Sequence, residues 1–249
     1  AYDDWCIAVM AEELGKSEDY IKYVQRAQYY KNLFDPETGF MRGRMNGMWV
    51  TPFDPTEVNF MLTEANTWQY NFFVPQDVSG LMDLYGGADG FSGKLDEMFN
   101  ASMEMTGRHQ SDITGLIGQY AHGNEPSHHM AYLYNFAGKP WKTQELVRKI
   151  MNEQYSEQPD GLCGNEDCGQ MSAWYVLSAM GFYPVTPGTQ DYIIGSPVFD
   201  KVTIKLENGK NCVIEAKNNS EEHKYIRSAS INGVPLERSY IQHSQIMEG

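Results

Sequence analysis

Long hydrophobic runs and basic residues are both scarce in this sequence of 249 residues. No apolar run approaches the roughly 20 residues that a helix needs to cross a bilayer. Lysine and arginine number 19 against 33 aspartates and glutamates, which gives a formal net charge of −14. Nucleic acids and anionic membrane surfaces would repel such a chain, so neither is expected as its main partner.

Cysteine is also rare. The four cysteines form no Cys-x-x-Cys pair, so a zinc site or a thioredoxin-type site is not indicated. Cys163 and Cys168 flank a short loop that contains glycine and could form a disulfide. Two reduced cysteines are the simpler interpretation, and the sequence leaves the pairing open.

The hydrophobic residues that are present, 41% of the chain, are enough for a packed core. Over the first two thirds they recur at helical spacing between turn-forming residues. Because no strand pattern separates the helices, the sequence predicts stacked antiparallel helical hairpins. The predicted helices lie at about 3–14, 17–30, 66–73, 77–85, 90–101, 126–136, 142–155 and 170–180.

The pattern changes near Pro184, where apolar and polar residues begin to alternate. Asn208-Gly209 and Asn232-Gly233 are typical of tight turns between antiparallel strands. We therefore predict a helical domain over residues 1–187 and an antiparallel β region over residues 188–249. The predicted strands lie at 191–194, 198–206, 211–216 and 225–231.

The segment at 63–70 combines a carboxylate, an amide and an indole, in Glu64, Asn66 and Trp68. Carboxylate and amide groups can bind sugar hydroxyls, and an indole face suits the C–H side of a sugar ring. The alternative is an ordinary helix start, with Glu64 favoured by the helix dipole and Trp68 in the core.

A second segment, at 122–129, places Asn124 and Glu125 directly before a proline. Their side chains supply the hard oxygen ligands that suit Ca²⁺ better than Zn²⁺. The alternative is helix capping beside buried histidines. Because adjacent residues point to different faces of a helix, at least one of His128 and His129 is expected to be structural.

A third segment carries two adjacent acids, Glu166 and Asp167, in a glycine-bounded loop before a helix predicted to begin at Gln170. Like charges side by side cost free energy unless a cation, hydrogen-bond donors or a proton offsets them. The alternative is a solvated capping loop with Asp167 as the N-cap. Acids in two separate segments suit glycoside hydrolysis, in which one acid protonates the leaving oxygen and the other activates water or attacks carbon.

The three blocks are long and distinctive: Glu-Ala-Asn-Thr-Trp-Gln-Tyr at 64–70, His-Gly-Asn-Glu-Pro-Ser-His-His at 122–129, and 164–185, which begins Gly-Asn-Glu-Asp-Cys-Gly-Gln-Met-Ser-Ala-Trp-Tyr. Together with 73–77 and 195–199 they closely resemble glycoside hydrolase family 92. Its members are calcium-dependent exo-α-mannosidases, many of them α-1,2-specific, that invert the anomeric centre. The resemblance runs over essentially the whole chain and implies hydrolysis of terminal α-linked mannose from glycans.

The resemblance also implies roles for the acids. Glu64 matches the general acid, which protonates the glycosidic oxygen, and Glu57 is a weaker candidate nearby. Asp167 matches the general base, which activates water on the opposite face of the ring, and Glu166 is its close partner. Inversion implies that the two carboxyl groups lie roughly 6.5–9.5 Å apart. Ala65 replaces the usual glycine of the first block, a small departure.

Asn124 and Glu125 match the block that the family associates with calcium, which is thought to bind the mannose 2- and 3-hydroxyls. A divalent cation there can hold the ring in a distorted conformer close to the transition state. The candidate substrate-binding residues are Asn66, Trp68, Asn165 and Trp174, with packing favoured for Trp174.

The family architecture is an N-terminal β-sandwich followed by an (α/α)6 barrel, with the end of the chain returning to the β domain. The resemblance therefore implies a partial (α/α)6 barrel at 1–187 and sandwich strands at 188–249. The N-terminal sandwich and the first barrel helices would then belong to a larger enzyme. We expect little or no activity from the 249-residue chain alone, which could self-associate through exposed apolar surface.

Mannan-degrading relatives are typically exported, so a periplasmic, cell-surface or secreted location is expected. The main alternative function is a non-catalytic carbohydrate-binding module, which the separated acids disfavour because a lectin needs no such pair. A protein-interaction scaffold of helical hairpins is a third reading, and no repeat period supports it. The linkage preference and the natural glycan are left open.

Overall fold

The computed structural model describes residues Ala1 to Gly249, which form two compact units, Ala1–Ser127 and His128–Gly249. Both contain helices and short strands, and all but one of the strand pairs are antiparallel. The predicted combination of helices with small antiparallel strands is confirmed. None of the helices has both the length and the hydrophobicity that crossing a membrane requires.

Five α-helices lie in the first unit, and four of the predicted ones are confirmed within a few residues. The fourth and fifth pack against each other over a core in which Leu81, Phe91 and Leu95 are fully buried. The predicted helix at 66–73 is a single turn, and the one at 17–30 gives way to a 3-10 helix at Tyr29–Leu33. The helices are α1 (Tyr2–Glu13), α2 (Ser17–Ala27), α3 (Thr67–Tyr70), α4 (Val78–Leu84) and α5 (Ala88–Asn100).

Eight two-residue strands connect these helices. They form three antiparallel pairs (β1–β2, β3–β4 and β7–β8) and one parallel pair (β5–β6). Such short pieces carry no alternating pattern, which is why the sequence predicts none of them. They are β1 (Phe34–Asp35), β2 (Phe40–Met41), β3 (Arg44–Met45), β4 (Met48–Trp49), β5 (Glu57–Val58), β6 (Thr106–Gly107), β7 (Leu116–Ile117) and β8 (Tyr120–Ala121).

The predicted helix at 126–136 is wrong in type. The chain there forms two 3-10 helices, Glu125–Ser127 at the end of the first unit and Met130–Asn135 at the start of the second. Residues 130–134 are all buried, so their side chains carry no periodicity that separates a 3-10 helix from an α-helix. The remaining helices of the second unit are α6 (Pro140–Glu153), α7 (Gln170–Met180) and the short α8 (His243–Glu248).

The strands of the second unit follow the predicted hairpins closely. Asn232-Gly233 forms a two-residue turn with φ of 50° and 82°, which matches a type I′ hairpin, and Asn208-Gly209 lies in the longer turn between β11 and β12. A three-stranded sheet has the order β15–β10–β9. The strands are β9 (Phe182–Tyr183), β10 (Asp191–Ile194), β11 (Lys201–Lys205), β12 (Asn211–Glu215), β13 (Ala229–Ile231), β14 (Val234–Leu236) and β15 (Tyr240–Gln242).

Within the second unit, α6 is tied to the strand-rich end of the chain by one buried arginine. The Arg148 guanidinium donates to Ser196 Oγ at 3.1 Å, to the Pro197 carbonyl and to Asn219 Oδ1. This shared polar centre places helix and strand regions in one compact unit, whereas the predicted domains 1–187 and 188–249 follow the change in secondary structure. That domain division stays a prediction.

The turn between β7 and β8 predicts a steric effect at Gly118. A Cβ added there would lie 2.3 Å from the Met98 carbonyl oxygen, while one at Gly233 meets nothing within 4 Å. Both glycines have positive φ. We expect Gly233→Ala to lower the free energy of unfolding by about 1 kcal/mol, which is the cost of positive φ alone. Gly118→Ala should cost roughly 1–3 kcal/mol more than Gly233→Ala, because its Cβ also clashes. Urea unfolding measures both, and equal losses would contradict the close approach.

Candidate active site

The candidate acid Glu64 lies on the surface directly before α3, with a left-handed backbone φ of 56°. Asn66 is the N-cap of this helix, and its Oδ1 accepts from the Gln69 N–H at 3.4 Å. The Gln69 Oε1 accepts in return from the Asn66 N–H at 2.7 Å, which completes a capping box. The segment is therefore a true helix start whose polar contacts leave the Glu64 side chain at the surface.

Gln119, which the sequence reading does not single out, is fully buried beside this cap. Its Oε1 accepts from Asn66 Nδ2 at 2.8 Å, and its Nε2 donates to the carbonyls of Ser102 at 2.6 Å and Glu104 at 3.0 Å. Its backbone carbonyl accepts from Gln69 Nε2 at 2.9 Å. Only its position in the turn between β7 and β8 reveals this role, because an isolated glutamine carries no pattern.

The structure brings two predicted segments of the first unit together at Glu64. Asn124 Nδ2 donates to the Glu64 carbonyl oxygen at 3.2 Å and lies 3.5 Å from Glu64 Oε2. Burial and then the negative charge of Glu64, six residues away in the sequence, raise the pKa of the Tyr70 hydroxyl. The acid therefore has an amide in contact with it and interacts electrostatically with a phenol. Glu57, the weaker candidate, accepts from Asn59 Nδ2 at 3.2 Å.

Trp68 is mostly buried in this unit. Its ring meets the Phe40 ring edge-on, with centroids 4.6 Å apart, and the Lys94 ammonium lies 4.8 Å from its centroid. These contacts match the alternative in which Trp68 belongs to the core. Asn66 is fully buried as well, with both ends of its amide bonded to protein groups. The roles of both residues in substrate binding stay predictions.

Asn124 and Glu125 present oxygen donors of the kind that calcium binds. A backbone carbonyl only accepts hydrogen bonds, so the Asn124 amide nitrogen must face Glu64, which turns its Oδ1 to the other side. Glu125, half-buried in its 3-10 helix, adds a carboxylate. No group of three or more histidine, cysteine, aspartate or glutamate side chains could hold a metal ion. The pair fits part of an oxygen-rich Ca²⁺ shell, which takes about 6–8 ligands including carbonyls and water.

The histidines of this segment are buried. The Tyr120 hydroxyl and His122 Nδ1 are 2.7 Å apart, and in the second unit His128 Nδ1 lies 3.1 Å from Gln170 Nε2. The His128 carbonyl also accepts from the Trp174 indole N–H at 2.9 Å. The expectation that at least one of His128 and His129 is structural is confirmed for His128.

In the second unit the candidate base Asp167 lies on an exposed loop before α7. Asp167, Cys168 and Gly169 have consecutive positive φ values of 46°, 58° and 92°. The alternative in which Asp167 is the N-cap is wrong, because Gly169 is the N-cap and the carboxylate that accepts from the first turn is Glu166. Its Oε1 accepts from the Ser172 N–H at 3.1 Å and its Oε2 from the Ser172 hydroxyl at 2.8 Å.

Trp174 is fully buried, and its indole stacks on the Tyr155 ring with centroids 6.0 Å apart. These contacts match the packing role favoured for it, and a role in substrate binding stays a prediction. Asn165 is exposed in the same loop as the acids. Cys163 and Cys168 are reduced, and burial raises the pKa of the Cys163 thiol to about 11.

Chemically, each unit thus presents an exposed carboxylate at a left-handed position before a helix: Glu64 in the first and Asp167 in the second. Glu64 interacts with the Asn124 amide and the Tyr70 phenol. Asp167 follows Glu166, whose carboxylate is bound to Ser172 of α7. Such carboxylates can donate or accept a proton at a bound molecule, which is acid–base chemistry.

Comparison with known proteins bears on this chemistry. The sequence matches the glycosyl hydrolase family 92 catalytic domain over residues 1–249. The structure is similar to the family GH92 α-mannosidase BT3965 from Bacteroides thetaiotaomicron, solved in complex with mannoimidazole, with a TM-score of 0.92, 44% identity, and coverage of 100% of this chain and 34% of that one. It is also similar to the inverting mannosidase BT2199 of the same bacterium, with a TM-score of 0.88, 43% identity, and coverage of 100% and 35%.

A relative from Arthroderma benhamiae, described as an uncharacterized secreted glycosidase, is 30% identical over 276 residues, covering 100% of this chain and 33% of the relative. The chain thus spans about a third of the length of the proteins it matches. Because the family match extends from the first residue to the last, the chain belongs to glycosyl hydrolase family 92.

Proposed function

We propose that the protein carrying this chain is an exo-acting α-mannosidase that removes terminal mannose, of the α-1,2-linked type, with inversion of configuration. Family membership supports the glycosidase class. The two bacterial structures, at 43–44% identity, are named as α-mannosidase and inverting mannosidase, which supports the substrate class and the stereochemistry.

The observation that carries the assignment of residues is backbone strain. Six residues other than glycine have positive φ, and three of them are asparagines, which tolerate this conformation in turns. The other three are Glu64, Asp167 and its neighbour Cys168. A left-handed residue of this kind costs about 1–3 kcal/mol, and such strain concentrates at functional sites. The two strained acids are the two that the family resemblance matches to the general acid and the general base.

In the proposed reaction Glu64 is the general acid. Its carboxyl donates a proton to the glycosidic oxygen as the C–O bond breaks, so that the leaving sugar departs as an alcohol. Asp167 is the general base and removes a proton from the water that attacks the anomeric carbon from the opposite face. Glu166 is bound to Ser172 through both carboxylate oxygens, so we assign it to holding the loop in place beside the base.

We further propose that Asn124 and Glu125 hold a calcium ion through Asn124 Oδ1 and the Glu125 carboxylate. When bound, Ca²⁺ would supply a positive charge that binds mannose hydroxyls. The chain's own contribution is to fix the Asn124 side chain next to Glu64, since Asn124 Nδ2 donates to the Glu64 carbonyl. The side-chain amide of Asn124 would then have two roles: its nitrogen donates to Glu64, and its oxygen would bind the calcium ion.

The finer architecture and the location are part of the same proposal. The structural similarity to these longer family members supports a partial (α/α)6 barrel with strands of a β-sandwich. The description of the fungal relative as secreted supports an extracytoplasmic location. Low activity of the 249-residue chain alone and its self-association stay predictions.

The general-acid assignment predicts a dependence on the leaving group. In the full-length protein that carries this sequence, we expect Glu64→Gln to lower kcat/KM for α-1,2-mannobiose by about 10²–10⁴-fold, because the sugar oxygen needs a proton. For 2,4-dinitrophenyl α-mannoside the loss should stay below about 10-fold, since that phenolate leaves without protonation. Asp167→Asn should lower both rates, because water must be activated in either case.

Steady-state kinetics with the two substrates measures these effects, and Glu207→Gln on an exposed strand turn is the control that should match the wild type. Equal losses on both substrates for Glu64→Gln would contradict its role as the acid. Binding of mannosides without turnover by the wild type would favour the carbohydrate-binding module instead.

The strain at Glu64 predicts an unusual effect of glycine. Glycine adopts positive φ without cost, so Glu64→Gly should leave the free energy of unfolding unchanged or raise it by up to about 1 kcal/mol. Glu157 is exposed and has no positive φ, so Glu157→Gly should lower it by roughly 0.5–1 kcal/mol. Thermal or urea unfolding compares them, and equal destabilisation would argue against strain at Glu64.

The proposed calcium residues predict ligand-linked stability. At Ca²⁺ concentrations about 100 times the Kd, the wild type should gain roughly 2.7 kcal/mol in stability, measured as a rise in Tm. Glu125→Gln removes one negative ligand and should reduce this gain at the same concentration, whereas Glu207→Gln should retain it. A gain that Glu125→Gln leaves intact would place the ion elsewhere.

A further inference from the structure

We propose that Gln119 is a positioning residue for the candidate acid and acts on Glu64 through the Asn66 amide. The inference rests on the proposed function and adds a residue to it that lies outside all the recognised sequence blocks. Its basis is a chain of three buried amides, Gln119, Asn66 and Gln69, whose orientations are all fixed by backbone groups.

The orientation of Gln119 is set by two carbonyls. The Ser102 and Glu104 carbonyl oxygens can only accept, so the Gln119 Nε2 must face them and both of its hydrogens are used. Its Oε1 then faces the opposite way and accepts from Asn66 Nδ2 at 2.8 Å. Both hydrogens of the Gln119 amide nitrogen are therefore bound by backbone carbonyls of the segment that follows α5.

This orientation passes on to the helix cap. Because Asn66 Nδ2 must face Gln119, its Oδ1 is left to accept from the Gln69 N–H. Gln69 is oriented in the same manner, since its Nε2 donates to the Gln119 backbone carbonyl and its Oε1 accepts from the Asn66 N–H. The start of α3 is thus tied at two points to one residue, 53 positions away from Asn66.

The consequence falls on Glu64, two residues before Asn66. Its left-handed φ of 56° is unfavourable and needs fixed neighbours to persist. Asn124 fixes its carbonyl on one side, and the cap held by Gln119 fixes the chain on the other. A catalytic carboxyl must be held within about 0.5 Å of its productive position, which is the work of such supporting hydrogen bonds.

Two variants test the role in different ways. Gln119→Met keeps the shape but removes three side-chain hydrogen bonds. The aspartate of Asn66→Asp still accepts from the Gln69 N–H, so the helix cap remains. It has no hydrogen to donate to Gln119 Oε1, however, and it places a carboxylate oxygen against that amide oxygen. Gln144→Met is the matched control, because Gln144 is a buried glutamine of the second unit that accepts from the Ile226 N–H at 3.1 Å.

The readout is the ratio of kcat/KM for α-1,2-mannobiose to that for 2,4-dinitrophenyl α-mannoside, measured in the full-length protein. Misplacing an acid harms only the substrate that needs protonation, so this ratio should fall about 10- to 100-fold in Gln119→Met and in Asn66→Asp. It should be unchanged in Gln144→Met. General loss of structure, or loss of a direct substrate contact at Asn66, would lower both rates together and leave the ratio as it was.

A wild-type ratio in both Gln119→Met and Asn66→Asp would overturn the positioning role even if Tm falls. If Glu64→Gln itself leaves the ratio unchanged, Glu64 is not the acid and the inference fails with that assignment. If the wild type hydrolyses neither mannoside, the proposed function fails first. The three failures are therefore distinguishable in one set of measurements.

Discussion

The first turn of an α-helix leaves backbone N–H groups that have no partner within the helix, and in each unit the candidate acid lies beside a residue that meets this requirement. At α3 the Asn66 amide accepts from the first turn, and at α7 the Glu166 carboxylate does the same. Each cap lies within two residues of a candidate acid. The residues that cap the two helices therefore also fix the backbone from which the Glu64 and Asp167 side chains project.

This arrangement explains how two acids can occupy left-handed positions. A strained residue relaxes unless its neighbours are fixed more strongly than the strain, which costs about 1–3 kcal/mol. At Glu64 the surrounding hydrogen bonds come from Asn124, Asn66 and Gln119. At Asp167 they come from the doubly bonded Glu166 and from the Asp167 carbonyl itself, which accepts from the Gln170 N–H at 3.3 Å. Buried amides thus surround Glu64, whereas an anchored carboxylate and the backbone hold the loop that carries Asp167.

Sequence patterns predict the parts of this molecule whose structure is set locally. The helix at Gln170–Met180 and the strand at Asp191–Ile194 fall where predicted, and Asn232-Gly233 forms the expected two-residue turn. Periodicity and turn chemistry act over a few residues, so they can be read directly. The segment at Met130–Asn135 shows the limit, because a stretch that is buried on every side has no apolar–polar spacing from which the helix type could be read.

By itself the sequence determined the composition of the site: acids in two separate blocks, an amide–acid pair before Pro126, and the resemblance to a single family over the whole chain. It did not determine which acid caps α7, because Glu166 and Asp167 are neighbours and only the backbone turn shows which carboxylate reaches Ser172. Nor did it reveal Gln119, whose partners lie 15 to 53 residues away. Contacts between distant residues form only when the chain folds, so the tertiary structure alone decided how the acid is held.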